Sequence, residues 1–219
     1  MWQPALVVKG LWCLMASSSY ERQVFINCPF DEAYKPIFEA IVFAIQDCEF
    51  EPRCALEAED ASVVRIEKVF TIISECKFGI HDISRTEATT SSGLPRFNMP
   101  LELGLFLAAK RFGTGKHRKK VCLILDSLPY RYQQFISDIA GQDIQVHHDN
   151  QEEAIAVVRN WLRNNSGLTI LPGGSEIARR FLIFQQELPA LCQELKLEPH
   201  ELTFKDLASV IGDWLRRNL

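Results

Sequence analysis

The sequence predicts an α/β protein built on a mainly parallel sheet, and three observations carry that prediction. From residue 23 onward, short apolar or β-branched runs alternate with longer segments of helical periodicity. The links between most of them are short, as crossover units require. After about residue 148 the strand-like runs stop and only helical patterns remain. Together they describe a flavodoxin-like (Rossmann-like) five-stranded parallel sheet with helices on both faces, plus a C-terminal helical extension.

"QVFINC" (23–28) is the first strand, and a helix over 34–47 carries Pro36 in its first turn, where proline is tolerated. "FEPRCAL" (50–56) leads into a helix over 62–75, and "KFGIHDI" (77–83) is the third strand. A polar stretch of 14 residues, "SRTEATTSSGLPRF", then precedes a helix over 99–112 that opens on Pro100. "KVCLILD" (120–126), a helix over 130–140 and "DIQVHH" (143–148) complete the sheet. In the helix over 151–164, Ile155, Val158 and Leu162 recur at helical spacing while charges fill the other face. "LPGGS" (171–175) marks a boundary, with Ser175 as the expected N-cap, and two amphipathic helices come after it without a strand between them. The chain thus divides into a disordered N-terminal extension (1–22), an α/β domain (23–170) and a helical hairpin (171–219).

Composition narrows the function classes. The 219 residues are 47% hydrophobic and 24% charged, globular values for a chain able to bury a core without disulfides. A net charge of −4 supplies no general basic field for nucleic acid, and the local "KHRKK" at 116–120 reads as a solvated turn before a strand. Seven cysteines without a C-x-x-C pair fit the reduced thiols of a cytoplasmic protein. No apolar run reaches the length of a membrane span. The start "MWQPALVVKGLWCL" has an apolar patch but not the basic region followed by an apolar core of an export signal, a weak form of which is the alternative; "MASSSYERQ" from Met15 reads as an ordinary cytosolic start, and residues 1–14 are expected to be dispensable.

Ligands of open parallel sheets bind beyond the carboxyl ends of the strands, so the residues there are the candidates. In the loop "NCPFDEAY", Asn27, Phe30 and Asp31 can meet a ribose or base, although an aspartate there also serves as a turn cap. Arg53 offers a phosphate contact or a structural ion pair. Asp82 ends the third strand with no helix behind it, and the long polar loop after it suits a binding lid. Asn98 opens the next helix. That helix reads as apolar almost all round, built for burial, except for one acid, Glu102, expected near its third position. Glu102 there can cap free N–H groups, or be kept ionised by the helix dipole and face a ligand. An ionised carboxylate in an apolar cleft can stabilise or trap the oxocarbenium ion formed when an N-glycosidic bond breaks. The phosphate-loop, dinucleotide, nucleophile-elbow and zinc-protease motifs are all missing, and "VHHD" (146–149) reads as strand packing rather than a metal site because neighbours on a strand face opposite ways.

"VFINCPFD", "GIHDIS" and "NMPLELGLFLAAKR" resemble the nucleoside 2-deoxyribosyltransferase-like and TIR-like superfamily over roughly residues 23–150. The deoxyribosyltransferase pattern ends E-x-G, matched here by Glu102 and Gly104; "MPLEL" keeps the E-L pair of the TIR branch. The resemblance implies a flavodoxin-like fold and cleavage between a base and C1′ of ribose, with no cofactor and with NAD or a related nucleotide as substrate. It assigns Glu102 as catalytic acid or nucleophile, Asp82 as a ribose-orienting group and the "NCPFD" loop to the base or ribose pocket. It also implies a prokaryotic immune effector that acts by assembly. Residues 175–219 carry more apolar surface than two helices can hide by themselves, and are expected to cover the sheet domain or to meet a second copy or a partner protein. Two alternatives stand beside it: a nucleotide-binding module without turnover, and a scaffold acting through its C-terminal helices.

Overall fold

The structure is a computed structural model, and residues 19–57, 60–86 and 95–218 are described. Five strands, β1 (Gln23–Asn27), β2 (Glu51–Cys54), β3 (Phe78–Asp82), β4 (Val121–Asp126) and β5 (Ile144–Val146), form one sheet in the order β2-β1-β3-β4-β5. Every pairing is parallel, with Asn27 beside His81, Asp82 beside Leu125 and Asp126 beside Val146. The flavodoxin-like expectation holds, and so do the places of all five strands. β1 and β3 are buried at every position, because helices cover both faces of a parallel sheet.

The two faces are built differently. On one, α1 (Lys35–Asp47) and α4 (Gln151–Asn165) pack on Val24, Ile26, Phe78, Ile80, Leu123 and Leu125. On the other, α2 (Arg65–Glu75) and α3 (Asn98–Phe112) pack on Phe25, through Val69, Ile72, Ile73 and Phe106. Lys120 lies buried beneath α2 and donates to the carbonyls of Ile73 and Cys76, satisfying the helix C-terminus with a cation.

α5 (Gly174–Leu195) and α6 (Phe204–Asn218) form the C-terminal hairpin. Its apolar residues do not stand apart: Ile177, Phe181, Phe184, Leu207, Ile211 and Trp214 belong to the same cluster as α1 and α4. Phe43 of α1 meets Phe181, Phe184 and Trp214 at ring separations of 5.3–5.8 Å. An Asp47–Arg180 ion pair at 3.0 Å closes the joint. With hairpin on one side and sheet on the other, α1 is the helix apolar nearly all round. α3, which the sequence presents as built for burial, has no second layer above it among the described residues. It buries only Met99, Glu102, Leu103 and Phe106, and leaves Leu101 55% and Phe112 82% exposed.

Three further expectations are corrected. No α-helix spans 130–140; Arg131–Gln134 and Ser137–Ile139 are single 3₁₀ turns. Tyr130 is left-handed at φ 61°, and Arg131 turns inward to Asp126 and the Ile83 carbonyl, so the side-chain tether sets the path. Ser175 lies inside α5, whose N-cap is Gly173. Residues 19–21 are ordered as a 3₁₀ turn, because Tyr20 is buried and donates to the Lys116 carbonyl at 2.8 Å. Residues 1–18 of the expected N-terminal extension lie outside the described residues. Among the described residues, no helix is long and apolar enough to cross a membrane.

Candidate functional site

Strand order reverses between β1 and β3, so the β1–α1 and β3–α3 connections leave toward opposite faces and open a crevice over the carboxyl ends of the strands. Asn27 ends β1 at this point. Its amide nitrogen donates to the Met99 carbonyl at 2.8 Å and to His81 Nδ1 at 3.0 Å, fastening the start of α3 to the sheet. His81 therefore carries its proton on Nε2, which has no hydrogen-bond partner among the described residues. The ring sits between Phe25 and Phe106, and burial, reinforced by Lys120, pushes its pKa down to about 3. Gly79 completes the seat. A Cβ there would come within 2.7 Å of the Phe106 ring, so only glycine lets α3 lie this close.

That seating holds Glu102, one turn before Phe106, within electrostatic reach of Cys28 on the β1–α1 loop and of Arg65 on α2. Glu102 is the fifth residue of α3 rather than the third, and the helix has no acid in its first turn and no side-chain cap. The expected capping position is thereby corrected: Pro100 occupies the third position, and Glu102 stands two positions further in, past the free N–H groups of the first turn. It is 8% exposed and makes no hydrogen bond or ion pair with another described residue. Burial raises its pKa and Arg65, at the first position of α2, opposes the rise. Cys28, on the facing loop, is fully buried; burial first, then Asp82, Cys54 and Glu102, hold it as an inert thiol.

The other candidates fall into three groups. Asp31 caps the turn into α1, accepting from the Tyr34 N–H at 3.1 Å, and its second oxygen accepts from Arg96 at 3.1 Å. It thereby ties the β1–α1 loop to the segment entering α3. Phe30 is 38% exposed and packs edge-on against Phe38. Asn98 is exposed at the first position of α3. Arg53 is apart from the crevice. Its guanidinium pairs with Glu57 and Glu75 and donates to Gln23 at 2.9 Å, which is the structural ion pair and not a phosphate contact.

Asp82 is fully buried and its acceptor capacity is taken. Oδ2 accepts from the Tyr34 hydroxyl at 2.6 Å and from His147 Nε2 at 2.9 Å, and Oδ1 from the Ser84 N–H at 2.8 Å. It binds the ends of β3 and β5 to α1 instead of facing a ligand. His147 accepts at Nδ1 from the Asp149 N–H; burial works against its cation, and the Asp82 bond and charge outweigh burial to raise its pKa.

Tyr34, Arg65, Arg96 and His147 are the residues that sequence reasoning missed. For His147 a signal existed in "VHHD": it turns inward to Asp82 while His148 turns outward to Glu153. Arg96 carried none, because its partner Asp31 lies 65 positions away in the chain. No protein-family model matches the sequence, and comparison with curated proteins and with solved structures finds no match.

Proposed function

We propose that this chain is a nucleotide N-glycosidase working at the β1/β3 crevice, with NAD or a related nucleotide as substrate and Glu102 as the catalytic carboxyl group. The observation that carries the reading is Glu102 itself: a buried, unpaired carboxylate at the switch point of a parallel sheet, held there by the close packing of Phe106 on Gly79. A carboxyl group with a raised pKa suits proton donation. With NAD the nicotinamide leaves with the bonding electron pair as a neutral base and takes no proton, so the Glu102 carboxylate offsets the positive charge at C1′ and accepts the proton of the water that adds there. With a neutral deoxynucleoside or its monophosphate the base takes the Glu102 proton, water adds to C1′, and the water's proton returns to the carboxylate. Asn27 and Asp82 act behind the site, the first by fastening α3 and the second by locking Tyr34 and His147. The proposed role in immune defence, and assembly through residues 175–219, rest on the family resemblance; the hairpin spends most of its apolar face on α1 and α4, leaving Leu182 and Leu195 about half exposed.

A nucleotide-binding module without turnover is the second reading. It is favoured by the full commitment of Asn27 and Asp82 to internal bonds, which leaves few polar groups free to orient a ribose. Incubating concentrated full-length protein with NAD, NADP, deoxynucleosides and their monophosphates, with chromatography for free base, separates the two. Released base supports the glycosidase; ligand-dependent thermal stabilisation without base supports the module.

A further inference from the structure

A separate cavity of about 200 Å³ opens on the other side of the β1–α1 loop, where the C-terminal hairpin meets the α/β core. Neither Glu102 nor any residue of α2 or α3 lines it. Its apolar wall is aromatic: Phe30, Phe38 and Phe204, with Phe30 edge-on to Phe38 at 5.5 Å and Phe204 tilted against Phe38 at 6.0 Å. Leu56, after β2, closes one side.

The polar wall is acidic. Asp31 is matched by Arg96, which leaves Glu32 and Glu39 facing Lys35 as the one uncommitted cation of the lining. Neither glutamate has a hydrogen bond or ion pair with another described residue. Glu39 is half-buried, and burial together with the charge of Glu32 raises its pKa against the opposing effect of Lys35. His200, also on the lining, lies 3.7 Å from Glu201.

We infer that this cavity binds a small organic cation, an amine or quaternary ammonium on an apolar body, between the three phenylalanine rings and the carboxylates of Glu32 and Glu39. Ring faces and unpaired carboxylates attract the same charge, and the apolar wall takes the body of the ligand. The volume of about 200 Å³ is below that of a drug-sized pocket, which favours a small ligand. Because the walls come from both the β1–α1 loop and the segment leading into α6, occupancy fastens the hairpin to the loop that borders the Glu102 crevice.

The test is isothermal titration of the full chain, at low salt, with choline, benzyltrimethylammonium and 3,3-dimethylbutanol, the uncharged isostere of choline. Saturable binding of at least one cation is expected, with the isostere weaker by about tenfold or more. Glu32→Gln/Glu39→Gln is expected to weaken the cation by about tenfold, and Phe30→Ala, at an exposed position that leaves folding intact, by several-fold. Glu102→Gln should leave binding unchanged, which separates this site from the proposed glycosidase centre. Equal binding of cation and isostere, no saturable binding of either cation, or wild-type affinity in the double glutamine variant overturns the inference.

Discussion

Replacing Glu102 by glutamine changes one thing, the ability to carry and release a proton, and its surroundings fix the size of the effect. The side chain is 8% exposed, touches no free helix N–H and has no bonding partner among the described residues, so glutamine fills the same space without losing a bond. Burying an unsatisfied amide costs about 1–3 kcal/mol, close to the cost of the protonated acid and below that of the carboxylate. Folding stability should therefore stay within about 1 kcal/mol of wild type. The linkage has a definite sign. The folded pKa is raised, so Glu102's contribution is fully present below the unfolded pKa and is lost as pH rises through the folded one. Glutamine removes that slope. If Glu102 protonates the leaving base, base release should fall about a hundredfold, roughly 2.7 kcal/mol of barrier, and the activity limb that declines with rising pH should vanish. Urea melts across pH and chromatography of released base measure both. A variant with full base release removes Glu102 from the mechanism. One destabilised by more than about 2 kcal/mol shows that the carboxylate was bonded after all.

Three further outcomes concern buried groups away from the chemistry. Asp82→Asn puts an amide donor against the Ser84 N–H in one orientation, or against both the Tyr34 hydroxyl and His147 Nε2–H in the other, and should cost about 3 kcal/mol in urea melts; a loss under about 0.5 kcal/mol would contradict its structural role. His81 is buried neutral with its pKa lowered from 6.5 to about 3, so the fold binds fewer protons than the unfolded chain; stability should fall by about 4 kcal/mol as pH drops through that window. His81→Gln should flatten that loss, and an unchanged slope would place its origin elsewhere. Trp214→Ala empties a site 3% exposed, packed on Phe43 and Phe184, and removes the Trp214 Nε1 bond to the exposed Glu187 carboxylate at 2.7 Å. A loss of about 3–5 kcal/mol by denaturation is expected, and a hairpin that undocks at no cost to the α/β core would refute the single shared core.

The sequence by itself determined the layers. Its alternating runs placed all five strands, because a strand buried on both faces must be continuously apolar and a crossover helix must show period 3.6. It also singled out Glu102, since one acid in an apolar helix is a local fact. What it left open depended on neighbours distant in sequence. α1 and α3 look equally apolar as strings, and only the hairpin folding over α1 decided which is enclosed. The 130–140 segment carries helical spacing, and a side-chain tether from Arg131 to Asp126 and Ile83 overrode it. Asp82 and Arg53 stood where ligands bind, and the tertiary structure gave them Tyr34 and His147, and Glu57 and Glu75, as partners. A buried charge is stable only when neutralised or bonded, and the long-range partners that do so for Asp82 and Arg53 come from 22 to 65 positions away. Periodicity reads one element at a time; which polar groups are spent on the fold, and which one stays unbonded, is decided by the packing of several.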